Sequence, residues 1–286
     1  MTANYFGTYA VQFYVYSYTS DIDLGYSIGV RLAILLKSGV KFSSGVGGYM
    51  KKIALFSDIH GNYQVLSSIL DDIKKDNFFE VICLGDVVGI GPESSECLDL
   101  IMNTNVTMLL GNHELYQIKG TDIDDLKTSV IEHEKWVFST LEERHLDYLN
   151  KCMLSKDLLL NGKLFTFSHF FFDEKKEYPF YSFSVLDNEN INSFLRTVTS
   201  DYMFCGHHHQ AFQYCYKNSL FTCVGSSGCT LENACFYTIV EIAYDYVKIY
   251  RKEIEYDRKA FEKKIKNSNY PDRDIIANSF FGINIK

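Results

Sequence analysis

The chain has 286 residues and a mass of 33.0 kDa, enough for one large domain or two small ones. Hydrophobic residues make up 47% and charged residues 22%, an ordinary balance for a globular protein with a sizeable core. A net charge of -8 argues against an extended phosphate-binding surface of Lys and Arg, and so against nucleic acid held on a broad basic patch. A small phosphate ester stays open, because bound cations can supply local positive charge.

In chain order, residues 1–49 stand apart. MTANYFGTYAVQFYVYSYTS is rich in Tyr and Phe, and no Lys or Arg precedes Arg31. A secretory signal needs a basic start and a compact apolar stretch, which this segment lacks. The apolar run IGVRLAILL is short and broken by Arg31, which argues against a membrane span. GVGGYMKK reads as a junction with a natural start at Met50. Residues 1–49 are therefore expected to be an accessory N-terminal extension or an upstream translation artefact, and residues 50–286 the functional domain.

From Met50 the pattern is regular. IALFS, EVICLG and VTMLL read as buried strands. Between them come two helices, NYQVLSSILDDIKK and ESSECLDLIMN, each with one apolar face. This alternation predicts an α/β layered domain with helices covering a sheet. SVIEHEKWVFS is a further predicted helix, and Thr140 with Glu143 predicts a capping box ahead of EERHLDYLNKC. His133 and His145 lie among charged neighbours and read as solvated helix-face residues. LFTFS, DYMFC and SLFTCV are predicted strands, ENINSFLRT a short helix, FYTIVEIAYDYVKIYRKEI a hairpin, and YDRKAFEKKIKNSN an amphipathic or surface helix. The cysteines, 83, 97, 152, 205, 215, 223, 229 and 235, form no C-x-x-C pair and read as small reduced core residues. That fits a reducing compartment, so a cytoplasmic location is expected.

The residues that follow the strands carry the chemistry. IALFS leads into Asp58 and His60, VICLG into Asp86, and VTMLLG into Asn112 and His113. LFTFS leads into His169, and YMFCG into His207, His208 and His209. Ligands of open α/β sheets bind outside the carboxyl ends of strands. Singly, each piece has a bland reading: a turn at Asp86, a helix cap at Asn112, a hydrogen-bonded core histidine at His169. The ordered set is more specific. Imidazoles, carboxylates and one amide form a mixed N/O donor set, suited to Mn, Fe, Co, Ni or catalytic Zn. Seven candidate ligands exceed one tetrahedral ion and fit two ions sharing a carboxylate. Alternation along an extended segment would aim Asp58 and His60 at one ion. Asn62 is expected to start the following helix rather than bind metal.

SDIHGN, LGDVVGIGP, LGNHE, FSH and CGHHH stand in the order of the calcineurin-like metallophosphoesterase superfamily, and LGDVVGIGPESSECLDLI, VGSSG and YDRKAFEKKI resemble its small bacterial and archaeal phosphodiesterase branch. The resemblance runs from Met50 to about Ile276. It implies a two-sheet β-sandwich flanked by helices, and a hydrolase of phosphate esters that uses a metal-bridging hydroxide. It implies that Asp58, His60 and His209 hold a first divalent ion, that Asn112, His169 and His207 hold a second, and that Asp86 bridges them. Mn²⁺ is the expected metal, with Fe, Zn, Ni or Co as alternatives. His113 would be the catalytic residue that protonates the leaving oxygen, with Glu114 orienting its ring; His208 would be a bystander or pocket wall. Two segments depart from the branch. His169 is followed by Phe170, Phe171 and Phe172 rather than a small residue and Pro, and the usual Asn-Pro-Gly-Ser is Cys223-Val224-Gly225-Ser226. The alternatives are a non-catalytic scaffold on the same fold, which lacks ligands that are present here, and a phosphomonoesterase, protein phosphatase or dinucleoside polyphosphate hydrolase. Protein phosphatases and polyphosphate hydrolases of this kind carry Arg near GD and GNHE; LGDVVGIGP and LGNHELYQ have none. The expected partner is a small phosphate-ester substrate, with neither a membrane nor an extended nucleic-acid surface involved.

Overall fold

The computed structural model describes residues 50–121, 126–170 and 199–285. The expected extension, residues 1–49, and the expected short helix at ENINSFLRT lie outside the described residues. Two five-stranded sheets face one another. The first has the order β10 (Val247–Glu255), β9 (Ala234–Ile242), β1 (Lys51–Phe56), β2 (Glu80–Cys83), β3 (Thr107–Met108). The second has the order β4 (Ser155–Leu160), β5 (Lys163–Ser168), β6 (Tyr202–Cys205), β8 (Ser219–Cys223), β7 (Phe212–Tyr216). Both sheets are mixed: β1, β2 and β3 run parallel, as do β5, β6 and β8, whereas β9, β10, β4 and β7 join by antiparallel pairing.

Side-chain alternation explains why β1 is apolar throughout. Ile53 and Leu55 point into the core between the sheets, where they meet Phe165, Phe167, Phe204 and Val240. Ala54 and Phe56 point the other way, against the helices. A strand buried on both faces reads as a continuous apolar run rather than an alternating one. In the second sheet, Phe165 stacks on Tyr202 and Phe167 on Phe204, with ring centroids 4.8 and 5.3 Å apart.

The helical layer on the outer face of the first sheet begins with α1 (Tyr63–Ile73), which buries Val65, Leu66, Ile69, Leu70 and Ile73. Its N-cap is Asn62, whose Oδ1 accepts from the Val65 N–H at 3.2 Å, as expected; such a cap is worth ~1 kcal/mol. Next come α2 (Ser94–Met102), α3 (Asn112–Lys119), α4 (Thr128–Thr140) and α5 (Glu143–Leu149). After the β9–β10 hairpin, α6 (Arg258–Asn267) and α7 (Arg273–Phe281) return to this layer. They insert Phe261, Ile265, Ala277 and Phe281 into its core.

Three local expectations are corrected. Thr140 does not cap α5: its hydroxyl donates to the Val137 carbonyl at the end of α4. The cap of α5 is Glu142, whose backbone N–H donates to Nδ1 of His145 at 3.0 Å. His145 is fully buried, not solvated, and its Nε2 meets Asp99 Oδ1 of α2 at 2.8 Å. His133 is also buried, between Trp136 and Tyr270, with Nδ1 donating to the Pro271 carbonyl at 3.4 Å. In both cases the covering group comes from an element distant in sequence, so the polar neighbours along the helix misled. All eight cysteines are free thiols. No helix among the described residues is long and apolar enough to cross a membrane.

Candidate functional site

The site forms where the carboxyl ends of β1, β2, β3, β5 and β6 meet. The parallel ladder of β1 and β2 continues past the strands: Asp58 N–H donates to Gly85 O at 3.0 Å, His60 N–H to Asp86 O at 3.0 Å, and Gly61 N–H to Val87 O at 2.9 Å. From the other side, Gly228 N–H and Ser226 Oγ both donate to the Asp58 carbonyl, at 3.0 and 2.7 Å. Asn62 Nδ2 ties the same segment down by donating to Gly228 O at 2.9 Å. The VGSSG stretch is thus a clamp on the loop that presents Asp58.

The side chains do not converge by strand alternation, as the sequence suggested. Asp58, His60, Asp86, His207 and His209 all have left-handed backbones, with φ of 53°, 49°, 53°, 69° and 57°. They are five of the nine non-glycine residues with positive φ among the described residues. Such conformations cost of order 1–3 kcal/mol each and persist where the surroundings over-determine them. Here the backbone bonds just described hold the Asp58 and His60 kinks in place. Gly111 and Gly89 leave the needed room: a Cβ at Gly111 would strike the Asp86 carboxylate, and one at Gly89 the His113 ring.

All seven predicted ligands are brought together. His60 Nε2 lies 3.0 Å from His209 Nε2, and these two atoms lie 3.9 and 3.6 Å from Asp58 Oδ1. On the other side, His169 Nε2 is 3.1 Å from Asp86 Oδ2, and His207 Nδ1 is 2.9 Å from Asn112 Oδ1. Asp86 stands between the two groups, with Oδ2 also 3.7 Å from His60 Nε2. Asp58 accepts the His207 backbone N–H at 3.1 Å, and Asp86 accepts that of His113 at 3.0 Å. His208 faces Phe212 and joins neither group. Cys229, read from sequence as a core thiol, brings its sulfur within 4.8 Å of ring nitrogens of His60 and His209. Burial, then the Asp58 charge, raises its pKa well above the usual thiol range.

This arrangement fits cations. His60 Nδ1 donates to Val88 O at 3.1 Å, so its Nε2 carries a lone pair aimed at another imidazole nitrogen. His169 Nδ1 is buried with no hydrogen-bond partner among the described residues, and Nε2, also buried, faces the Asp86 carboxylate at 3.1 Å without hydrogen-bond alignment. Burial pushes the His60 pKa well down, and burial with the His169 charge brings His207 to about 3; both rings are neutral, as ligands must be. Burial opposes a charge on His169 as well, but Asp86, then Asp58, raises its pKa to about 9.

Two residues around His113 correct the sequence reading. Glu114 does not orient its ring. Glu114 is fully buried and accepts four backbone N–H groups, from Asp86, Val87, Val88 and Gly111, at 2.8, 2.7, 3.1 and 2.8 Å. The His113 partner is Glu134 of α4, with Oε1 2.7 Å from Nδ1 and Oε2 held by Gln117 Nε2 at 2.6 Å. A signal for Glu134 was present in the sequence. It falls on the α4 stripe of Val130 and Val137, at spacings of four and three, where a carboxylate is out of place unless partnered.

A family model described as calcineurin-like phosphoesterase matches residues 51–211. The chain belongs to this family, whose members bind divalent metal ions. An uncharacterized protein of Methanocaldococcus jannaschii is 32% identical over 117 residues, which are 41% of this chain and 48% of that protein. A symmetrical bis(5'-nucleosyl)-tetraphosphatase of Baumannia cicadellinicola is 40% identical over 62 residues, 21% of this chain and 22% of the relative. The chain thus matches less than half the length of these curated relatives. The crystal structure of a hypothetical protein from Pyrococcus horikoshii superposes with a TM-score of 0.66 at 18% identity, covering 82% of this chain and 99% of the other. That likeness concerns the fold.

Proposed function

We propose that this protein is a dimetal-dependent hydrolase of phosphate esters, a phosphodiesterase for a small or nucleotide-type substrate, working in the cytoplasm. The supporting observation is the pair of lone-pair clusters that share Asp86, with the Glu134-held His113 beside them. Asp58, His60 and His209 would hold one ion, Asn112, His169 and His207 the other, and Asp86 both. The family resemblance makes Mn²⁺ the first choice, and the mixed imidazole and carboxylate donors also suit Fe, Zn, Ni or Co. When bound, the two ions supply Lewis acidity toward phosphoryl oxygens and acidify water to give a nucleophile near neutral pH.

His113 supplies the proton. Its Nδ1 is committed to Glu134, and a nitrogen of its ring lies within 4.8 Å of donor atoms of His60 and Asp86. Burial would lower its pKa, but Glu134, then Asp86, more than offsets this and raises it to about 10. The ring is therefore cationic at neutral pH in the metal-free protein, ready to protonate a leaving alkoxide.

Purified protein supplied with Mn²⁺, Fe²⁺ or Zn²⁺ is expected to bind about two ions per chain and to hydrolyse aryl phosphodiesters. Absence of metal, with no activity on diesters, cyclic nucleotides or monoesters, would instead support the scaffold reading. His113→Ala is expected to lose about 10²–10⁴-fold in turnover while keeping both ions; loss of metal would mean that His113 is a ligand. The raised His113 pKa also makes a stability prediction. A group protonated more tightly in the folded state stabilises fully below its ordinary pKa, 6.5 for His113, and loses that contribution as pH climbs through about 10. Urea unfolding of the metal-free protein is expected to show this decline toward alkaline pH, and Glu134→Gln to flatten it. Equal slopes in the two proteins would sever the link between Glu134 and His113.

A further inference from the structure

The catalytic cluster opens on one side into a cavity of about 300 Å³ between α4 and α7, at the lower end of the range for small-molecule sites. His113 forms part of its wall, together with Ile90, Val130, Ile275, Ile276 and Phe280. The two faces of α7 differ. Ala277 and Phe281 are buried in the core, and the Phe281 ring meets Phe261 at 4.9 Å, so the helix is anchored. The other face turns Ile275, Ile276 and Phe280 to the cavity, with Ile275 66% exposed. The Phe280 ring also meets the His209 ring at 5.9 Å, which makes the apolar wall continuous with the candidate metal cluster. The charged groups on the lining, apart from His113, are the carboxylates of Glu134 and Asp272.

We infer that this cavity receives the leaving group of the substrate, and that this group is an uncharged aromatic ring, as in an aryl or nucleoside alcohol. The inference rests on the phosphoesterase reading above and adds the substrate class to it. Its logic is positional. The alcohol that takes the His113 proton departs on the His113 side, and His113 borders this cavity. Three large apolar side chains of α7 stand part-exposed around it, and covering them with a ring removes apolar surface from water. With Glu134 paired to His113, the carboxylate of Asp272 is left as the net charge of the lining, and it disfavours a leaving group that carries its own phosphates, such as a nucleotide, or an acidic phosphopeptide. The structure therefore assigns the selectivity to neutral flat leaving groups rather than to polyphosphates.

The test uses two phosphodiesters with the same retained group, one with a methyl and one with a benzyl leaving group, whose alcohols are similarly acidic. The wild-type protein with Mn²⁺ is expected to favour the benzyl ester by roughly 10–100-fold in kcat/KM. Ile276→Ser is expected to shrink that ratio toward one, and Ile276→Lys to raise kcat/KM for a diester whose leaving group is a nucleoside monophosphate. Should the wild type hydrolyse both esters equally well, with the variants leaving the ratio unchanged, the cavity is not the leaving-group site and the phosphoesterase reading survives. Should neither ester nor any chromogenic diester be hydrolysed, both readings fall. A direct measurement does not depend on variants: free benzyl alcohol or adenosine should inhibit the wild type competitively, and methanol at equal concentration should not. Equal inhibition by all three would overturn the assignment.

Discussion

Replacing Asp86 with Asn is expected to lower phosphodiester turnover by about 10²–10³-fold or more, and bound divalent metal from about two ions per chain to one or fewer. The reason is position. Asp86 is the residue whose carboxylate belongs to both clusters: with His60 and His113 on one side, with His169 and His207 on the other. Asn keeps the shape and one oxygen. The hydrogen bond from the His113 backbone N–H to Oδ1, 3.0 Å in length, can therefore survive, and the fold should hold. What disappears is the charge that would offset two cations at once. Asp86 also acts on its neighbours: its charge is the leading cause, against the opposing effect of burial, of the raised His169 pKa of about 9. The variant should therefore bring the His169 titration down, which histidine NMR of the metal-free protein can follow. Metal content after dialysis, measured beside turnover, decides the matter. Two retained ions with near-normal turnover would remove Asp86 from the bridging role.

Glu114→Ala is expected to destabilise the protein by roughly 4 kcal/mol or more, with loss of folding at physiological temperature as the extreme case. Four buried backbone N–H groups on two separate stretches end on this one carboxylate: those of the consecutive residues Asp86, Val87 and Val88, and that of Gly111. Each buried donor left without an acceptor costs about 1–3 kcal/mol. Water entering the vacated space can recover a part of that. Even so, the residual loss is large against a total stability of about 5–15 kcal/mol. Glu114→Gln should fall between, because one oxygen remains while the new NH₂ group faces donors. Urea or thermal unfolding measures the effect. A Glu114→Ala protein within about 1 kcal/mol of wild type would show that these N–H groups find other partners. The same bonds tie the loop carrying Asp86 to the start of α3, which carries Asn112 and His113, so metal affinity should fall along with stability.

Glu114 and Glu134 show where sequence reading stops. Both carboxylates lie on predicted helices or motif ends, and pairing His113 with its chain neighbour Glu114 was the natural local choice. The fold selected Glu134, twenty-one positions away, because α4 packs beside α3 and Gln117 fixes the second oxygen. His133 and His145 make the same point: each is polar in its local pattern and buried by a distant element.

The sequence by itself determined the strand and helix alternation, the doubly buried strands, the Asn62 cap and the set of polar residues that follow five strand ends. These are short-range properties: side-chain period, turn chemistry and the order of motifs. It also carried the family resemblance, which the fold and the family match support. It did not reveal β4, β7 or α7, which are short or weakly patterned and gain their stability from pairing and packing with remote segments. Nor did it reveal the left-handed backbones at Asp58, His60, Asp86, His207 and His209. Those depend on hydrogen bonds between loops brought side by side only when the sheets assemble. Residue types are written locally, whereas the distances, partners and protonation of a site depend on contacts between segments far apart in the chain, and only the tertiary structure decides those.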